Sequence, residues 1–208
     1  DQDAYACRSQ ERTERARLCG RPELLSLEVP AGKAGPKRVS EDEHPRPGTT
    51  REALARLRPL VRPDGTVTAG NASGVNDGAA VLLLASDAAV MRHRLTPLAR
   101  VAGMASAGVP PRVMGLGPVP AIRKLLERLR WPLESVDVIE INEAFASQVL
   151  ACLRELGLPD DADHVNPNGG GIALGHPLGM SGARILGDAT LELVRRNGRR
   201  AGGGLCVG

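Results

Sequence analysis

Residues 166–185 read NPNGGGIALGHPLGMSGARI and carry the densest functional signal in the chain. This glycine-rich segment lets backbone amides converge on a ligand, because glycine has no Cβ and tolerates conformations that other residues avoid. It places His176 in a constrained turn before a predicted helix, which Ser181 is expected to cap. Free N–H groups at such a helix start can stabilise an anion or a developing negative charge. His176 is therefore either a catalytic group or a structural histidine in a tight turn.

The spacing within this segment excludes three common glycine-rich motifs. No Gly-Lys-Ser or Gly-Lys-Thr follows the glycines, as a P-loop would require. The glycines also run in a different register from the Rossmann fingerprint. Gly179-Met180-Ser181-Gly182 lacks the second glycine of a G-x-S-x-G elbow. The pattern disfavours a nucleotide hydrolase, a dehydrogenase and a serine esterase.

Apolar periodicity around this segment predicts alternating strands and helices. Strands are predicted at 79–86, 98–108, 136–142 and 204–208. Helices are predicted at 1–18, as a charged surface helix that stops at Gly20, and at 51–60, 87–94, 121–131, 143–156 and 181–198. Residues 29–50 have no sustained period and are predicted to form a long loop. This order predicts an α/β fold with parallel or mixed strand pairing.

Composition narrows the possible partners. The 208 residues carry 27 basic and 24 acidic side chains, and only 1% are aromatic. Nucleic-acid binding is disfavoured because this chain lacks aromatic stacking platforms. There is no run of about eighteen apolar residues, which a membrane span would need. The four cysteines show no C-x-x-C spacing, so neither a disulfide framework nor a metal site is expected, and a reducing, cytoplasmic setting fits.

Two further residues are candidates for chemistry. Cys206 lies near the end of the last predicted strand, with Gly208 two residues later. It is either a small buried hydrophobe or a thiol that transfers a proton or acts as a nucleophile. Asn142 follows the predicted strand 136–142, where an open α/β sheet presents polar groups to a ligand crevice. It is either a helix N-cap or a residue that holds a water or a carbonyl oxygen.

Several motifs, taken in order, resemble the thiolases, the acyl-CoA C-acetyltransferases. They are VTAGNASGVNDGAAVLLLAS, GLGPVPA, EINEAFA, the glycine-rich segment and the closing LCVG. DEHPRP and GMASAGVPPRVMGLGPVPA look most like the branch that acts on 3-oxoadipyl-CoA. The resemblance implies a thiolase-like α/β fold. Residues 1–75 would be the remainder of the CoA-covering loop domain, 76–97 the last piece of the N-terminal core, and 98–208 the C-terminal βαβαβ core.

The resemblance also implies a reaction and a catalytic set. Thiolases cleave a 3-oxoacyl-CoA with CoA, or run the reverse Claisen condensation, through an acyl group carried on a nucleophilic cysteine. His176 matches the histidine that activates that cysteine, and Cys206 matches the acid/base cysteine. Asn142 matches the residue that holds an oxyanion-hole water. Gly208 matches the backbone donor of a second oxyanion hole.

A second set of positions matches the family's CoA site. Ala72, Ser73 and Phe145 match positions that line the pantetheine channel, and Arg46 matches an arginine beside the adenine. CoA and acyl-CoA would be substrates, with no permanently bound cofactor and no metal. A cytoplasmic homo-oligomer, dimer or tetramer, is implied for the full-length enzyme.

The sequence departs from the family pattern at two places. Thiolases carry the nucleophile in a cysteine-serine-glycine turn, and none of the four cysteines here is followed by serine. Gly202 to Gly204 also replace larger residues expected in the last strand, which weakens the strand before Cys206. We therefore expect this chain to be the later part of a longer thiolase and to be inactive alone. The alternative is a truncated, non-catalytic relative that binds CoA or an acyl chain.

Overall fold

The computed structural model describes residues 1–32 and 35–207. Its helices are α1 Gln2–Leu18, α2 Arg51–Leu54, α3 Asp87–His93, α4 Pro118–Leu129, α5 Ala146–Leu156, α6 Gly171–Leu174 and α7 Ser181–Arg195. Its strands are β1 Leu27–Pro30, β2 Pro36–Val39, β3 Val138–Ile141 and β4 Ala201–Gly204. Short 3-10 helices cover Pro111–Leu116 and Leu133–Ser135. The mixed α/β composition is as predicted. Over the same residues, no helix is both long and apolar enough to cross a membrane.

The core is built around β3. This strand pairs in parallel with β4, and Val138 lies opposite Ala201. All four of its residues are buried, as is usual for a strand covered on both faces. On its other edge, Ile139 pairs in parallel with Val165. The crossover from β3 to β4 runs through α5, α6 and α7, so the end of β3 lies beside the glycine-rich segment.

Helix α1 has the predicted length but not the predicted environment. It packs against α5 and α6, and it buries Tyr5 and Arg12, so the prediction of a surface helix is wrong. Arg12 is tolerated inside because its guanidinium donates to the carbonyl oxygens of Val165 at 2.6 Å and Ala162 at 3.2 Å. A buried charge of this kind needs such partners. The sequence of α1 alone does not reveal carbonyls supplied 150 residues later.

Most predicted helix ends are confirmed, but the predicted N-cap in the glycine-rich segment is not. Gly20 has φ +83° just after α1, and the Thr50 side chain accepts a hydrogen bond from the Ala53 N–H at the start of α2. Helix α2 is shorter than predicted and ends at Leu54. Ser181 does not cap α7, because the N-cap is Met180. The Ser181 hydroxyl instead contacts His176 and Pro177.

Three strand predictions are wrong. Residues 79–86 and 98–108 form no strand, and Val81 and Met104 are 92% and 82% exposed. A buried strand forms only where neighbouring strands satisfy its backbone groups, and none pairs with these residues in the described part of the chain. The last strand is Ala201–Gly204 rather than 204–208, since its pairing stops where β3 ends. The predicted loop 29–50 contains part of a hairpin, β1–β2.

Candidate active site

Asn142 follows β3 directly and is only 2% exposed. Its backbone N–H donates to the Gly204 carbonyl at 2.9 Å, which fixes it to the end of the β3–β4 pair. Its side-chain Nδ2 lies 3.3 Å from His176 Nε2. The Asn142 Oδ1 atom is buried and has no hydrogen-bond partner among residues 1–32 and 35–207. A buried acceptor left open in this way is suited to a water or a substrate donor. Asn142 is not an N-cap, because α5 begins at Ala146.

The backbone around His176 is held from the opposite side. The His176 N–H donates to the Gly74 carbonyl at 3.0 Å and to Asn76 Oδ1 at 3.2 Å. Gly175 precedes it with φ +89°, and a Cβ at that position would overlap the Asn76 side chain. Only glycine combines this backbone angle with this close approach. The turn that carries His176 is thus clamped by residues 74–76.

The His176 ring is also oriented by hydrogen bonding. Its Nδ1 lies 2.6 Å from Ser181 Oγ, and that hydroxyl donates to the Pro177 carbonyl at 3.1 Å. A hydroxyl has one proton to donate, so Ser181 accepts from Nδ1–H and Nε2 keeps its lone pair. Burial, and then the positive charge of Arg184, lower the pKa of His176. A neutral imidazole with an unprotonated Nε2 is the form that a general base requires.

Glu143 is a site residue that sequence reasoning missed. Its carboxylate is 1% exposed and accepts from Tyr5 OH at 2.9 Å, Ser9 Oγ at 2.7 Å and the Ile172 N–H at 3.1 Å. Asn166 Nδ2 donates to the same carboxylate at 3.1 Å. Burial and the negative charge of Glu143 raise the pKa of Tyr5. Glu143 thus connects α1 to the glycine-rich segment through hydrogen bonds. The sequence signal that could have identified it is its position directly after Asn142 in EINEAFA.

Three of the residues predicted to line the CoA site lie together. Ala72 and Phe145 form an antiparallel bridge. The Ser73 N–H and hydroxyl both donate to the Ala144 carbonyl, at 3.0 Å and 3.2 Å. Phe145 is 39% exposed and only three residues from Asn142. These residues therefore form a surface beside the predicted catalytic pair.

Arg46 lies apart from this group, on the loop between β2 and α2. Its guanidinium donates to the carbonyl oxygens of Glu43 and His44, both at 2.9 Å. Its backbone N–H donates to Gln10 Oε1 at 2.9 Å. The side chain is exposed and folds back over its own loop. The structure does not show Arg46 in contact with Ala72, Ser73 or Phe145.

Cys206 follows β4 and is half-buried. Burial raises the pKa of its thiol. Cys152 lies deeper, and burial raises its pKa to about 11. Gly208, the predicted backbone donor, lies outside the described residues. In the described part of the chain, no cluster of three or more His, Cys, Asp or Glu residues could hold a metal ion.

Two family models together match nearly all of the chain. The N-terminal thiolase domain matches residues 1–88, and the C-terminal thiolase domain matches residues 95–208. A beta-ketoadipyl-CoA thiolase of Pseudomonas aeruginosa is 62% identical over the whole chain. The chain spans 52% of that relative's length.

Solved structures give the same result. The acetyl-CoA acetyltransferase of Bacillus anthracis is 47% identical and superimposes with a TM-score of 0.95. The match covers all of this chain and 52% of the acetyltransferase chain. Human mitochondrial 3-ketoacyl-CoA thiolase in complex with CoA is 44% identical and superimposes with a TM-score of 0.88. That match covers all of this chain and 51% of the human chain. With both family models matched in order along the sequence, the chain belongs to the thiolase family.

Proposed function

We propose that the complete gene product is a thiolase that cleaves a 3-oxoacyl-CoA with CoA, or catalyses the reverse condensation. The observation that carries this proposal is the pairing of Asn142 with His176, whose Nε2 is left unprotonated by the Ser181 contact. The Pseudomonas aeruginosa relative named for beta-ketoadipyl-CoA is 62% identical, against 51% for an acetyl-CoA acetyltransferase of the same organism. We therefore propose 3-oxoadipyl-CoA as the substrate.

In the proposed reaction, His176 Nε2 takes the proton from a nucleophilic cysteine thiol. That thiolate adds to the 3-oxo carbon of the substrate, and the bond between C2 and C3 then breaks. Cys206 gives its proton to C2, which releases acetyl-CoA and leaves a thioester on the nucleophile. The thiol of a second CoA displaces the acyl group and returns a proton to the enzyme. Asn142 would hold a water through its open Oδ1, and that water and a backbone donor at Gly208 would stabilise the negative charge that develops on oxygen.

The pKa shifts of His176 and Cys206 favour the protonation states that these steps require. A neutral His176 accepts the proton of the nucleophile, and the lowered pKa of His176 keeps it neutral near pH 7. A raised pKa keeps Cys206 protonated, so that it can act as an acid. The nucleophile is assigned to the part of the enzyme that the chain does not span, since none of Cys7, Cys19, Cys152 and Cys206 lies in a cysteine-serine-glycine turn.

The proposal includes the binding site and the assembly. Residues 1–75 would cover CoA, 76–97 would complete the N-terminal core and 98–208 would form the C-terminal core. Ala72, Ser73 and Phe145 would contact pantetheine, and Arg46 would reach the adenine by turning outward from its loop. CoA would be a co-substrate, with no permanent cofactor, and the enzyme would be a cytoplasmic homo-oligomer, dimer or tetramer.

Thiolysis by the complete gene product tests this proposal. We expect it to convert 3-oxoadipyl-CoA and CoA to succinyl-CoA and acetyl-CoA, both resolved by liquid chromatography, faster than it cleaves acetoacetyl-CoA. Absence of both products would rule out the thiolase proposal. Faster cleavage of acetoacetyl-CoA would rule out the substrate assignment alone.

The second candidate is a non-catalytic protein that binds CoA or an acyl chain. It is favoured by the lack of a cysteine-serine-glycine turn in these residues. The gene upstream of Asp1 separates the two candidates, because an in-frame cysteine-serine-glycine turn supports the enzyme and a stop codon supports the binding protein. CoA binding by calorimetry without any turnover would support the second candidate.

A further inference from the structure

We infer that His44 is a positioning residue for His176 and acts through the side chain of Asn76. His44 lies on the loop between β2 and α2, in the sequence DEHPRP. Asn76 follows the residues that pair with the turn of His176. The kinetic part of this inference rests on the proposed thiolase function, whereas its structural part does not.

Asn76 bridges the two histidines. Its Oδ1 accepts from the His176 backbone N–H at 3.2 Å, and its Nδ2 lies 3.4 Å from His44 Nδ1. The His176 N–H also donates to the Gly74 carbonyl. Of the two ends of the Asn76 amide, only the oxygen can accept from that N–H, so the amide nitrogen faces His44. An amide nitrogen is a donor only. His44 Nδ1 must therefore accept, which requires a neutral ring with its proton on Nε2.

Close packing around His44 leaves little freedom for another arrangement. A Cβ added at Gly74 would lie 2.5 Å from His44 Cε1, well inside contact distance. The same Gly74 gives its carbonyl to the His176 N–H. Burial, and then the positive charge of Arg46, lower the pKa of His44, while the backbone of Ile172 acts in the opposite direction. The neutral form that Asn76 requires is thus the form that the surroundings favour.

Loss of the His44 acceptor has a defined consequence for His176. The Asn76 amide would no longer be held in one orientation, and a rotated amide would present a donor to the His176 N–H. The His176 turn would lose one of its two acceptors, and Nε2 would move relative to Asn142. Small displacements of a catalytic group lower the rate of the chemical step. Substrate binding would change little, because the His44 side chain hydrogen-bonds to Asn76 and, within the described residues, makes no hydrogen bond to Ala72, Ser73 or Phe145.

Two substitutions at His44 test this inference in the complete gene product. His44→Asn places an amide oxygen close to the position of Nδ1 and keeps an acceptor for Asn76. His44→Leu fills similar space without an acceptor. We expect kcat to fall about tenfold in His44→Leu, with the KM for CoA changed less than about twofold, and to stay within about threefold of wild type in His44→Asn. His93→Leu, on the exposed face of α3, is the matched control.

Coupling to Asn76 is tested by the same assay. The double variant His44→Leu/Asn76→Ala should be no slower than Asn76→Ala alone, because the first residue acts through the second. Additive losses would overturn the inference. A raised KM for CoA with unchanged kcat would also overturn it, since His44 would then act by placing the Arg46 loop.

Hydrogen–deuterium exchange separates failure of this inference from failure of the proposed function. The peptide that contains the His176 amide should exchange faster in His44→Leu and as in wild type in His44→Asn. That pattern supports the positioning role even if the wild type shows no thiolase turnover. Unchanged exchange in His44→Leu overturns the role even in an active enzyme. Variants are compared only after circular dichroism and gel filtration match wild type, and His44→Asn remains informative if His44→Leu does not fold.

Discussion

Asn142 Nδ2 and His176 Nε2 lie 3.3 Å apart although the two residues are 34 positions apart in the chain. The contact joins the end of β3 to the turn of the glycine-rich segment. Each residue is also held by a hydrogen bond of its own. The Asn142 N–H donates to the Gly204 carbonyl, and His176 Nδ1 lies 2.6 Å from Ser181 Oγ. A pair held in this way needs little rearrangement when charge develops on a nearby oxygen.

His176→Ala should lower kcat for thiolysis by about 100-fold or more, because it removes the proposed base for the nucleophilic thiol. The measurement is steady-state thiolysis of 3-oxoadipyl-CoA by the complete gene product. His93→Ala, an exposed histidine on α3, should retain wild-type activity. If His176→Ala kept activity within about tenfold of wild type, a difference of roughly 1.4 kcal/mol, the assigned role would be wrong.

Arg184→Gln should move the acid limb of the kcat/KM profile to higher pH. The positive charge of Arg184 contributes to the lowered pKa of His176, after the larger effect of burial. Loss of that charge raises the pKa, so His176 becomes protonated, and inactive as a base, at a higher pH than in wild type. Arg92→Gln, which removes an exposed positive charge on α3, should leave the limb in place. A limb that stays fixed or moves to lower pH in Arg184→Gln would contradict the assignment of that limb to His176.

Local chemistry made much of the helical structure predictable. Thr50 caps α2 and Gly20 ends the α1 region, as their side chains and φ preferences require. These signals act over a few residues and need no tertiary partner. Amphipathic spacing likewise identified α4 and α7 as helices. Ile122 and Leu126 of α4 pack against the core, and α7 buries Ile185.

Tertiary partners decided what the sequence could not show. Residues 79–86 have the composition of a buried strand but pair with no strand in the described chain, so they have no regular secondary structure and are exposed. Ser181 has the residue type of an N-cap, yet the proximity of His176 gives its hydroxyl another role. Glu143 begins the predicted helix 143–156, and only the fold shows that Tyr5 and Ser9 converge on it.

The cysteines should differ strongly in their reaction with iodoacetamide. Burial raises the pKa of Cys152 to about 11, so its reactive thiolate is scarce near pH 8. Cys19 is exposed at the end of α1 and should be modified first. Peptide mass spectrometry of the native chain, with a denatured sample as control, measures the order. Modification of Cys152 at the rate of Cys19 would show that α5 does not protect this thiol as the structure indicates.

Gly169→Ala should destabilise the protein by about 2 kcal/mol or more. Gly169 has φ +78°, and a Cβ there would lie 2.6 Å from the Ser9 carbonyl and overlap the Thr13 hydroxyl. The substitution therefore strains the backbone and also pushes α1 away from the glycine-rich segment. Gly179→Ala is a matched control in the same segment, because no atom lies within 4 Å of its added Cβ. Urea denaturation of both variants measures the difference. Equal unfolding midpoints would mean that α1 does not dock against Gly169, and the Glu143 contacts that depend on this docking would be in error as well.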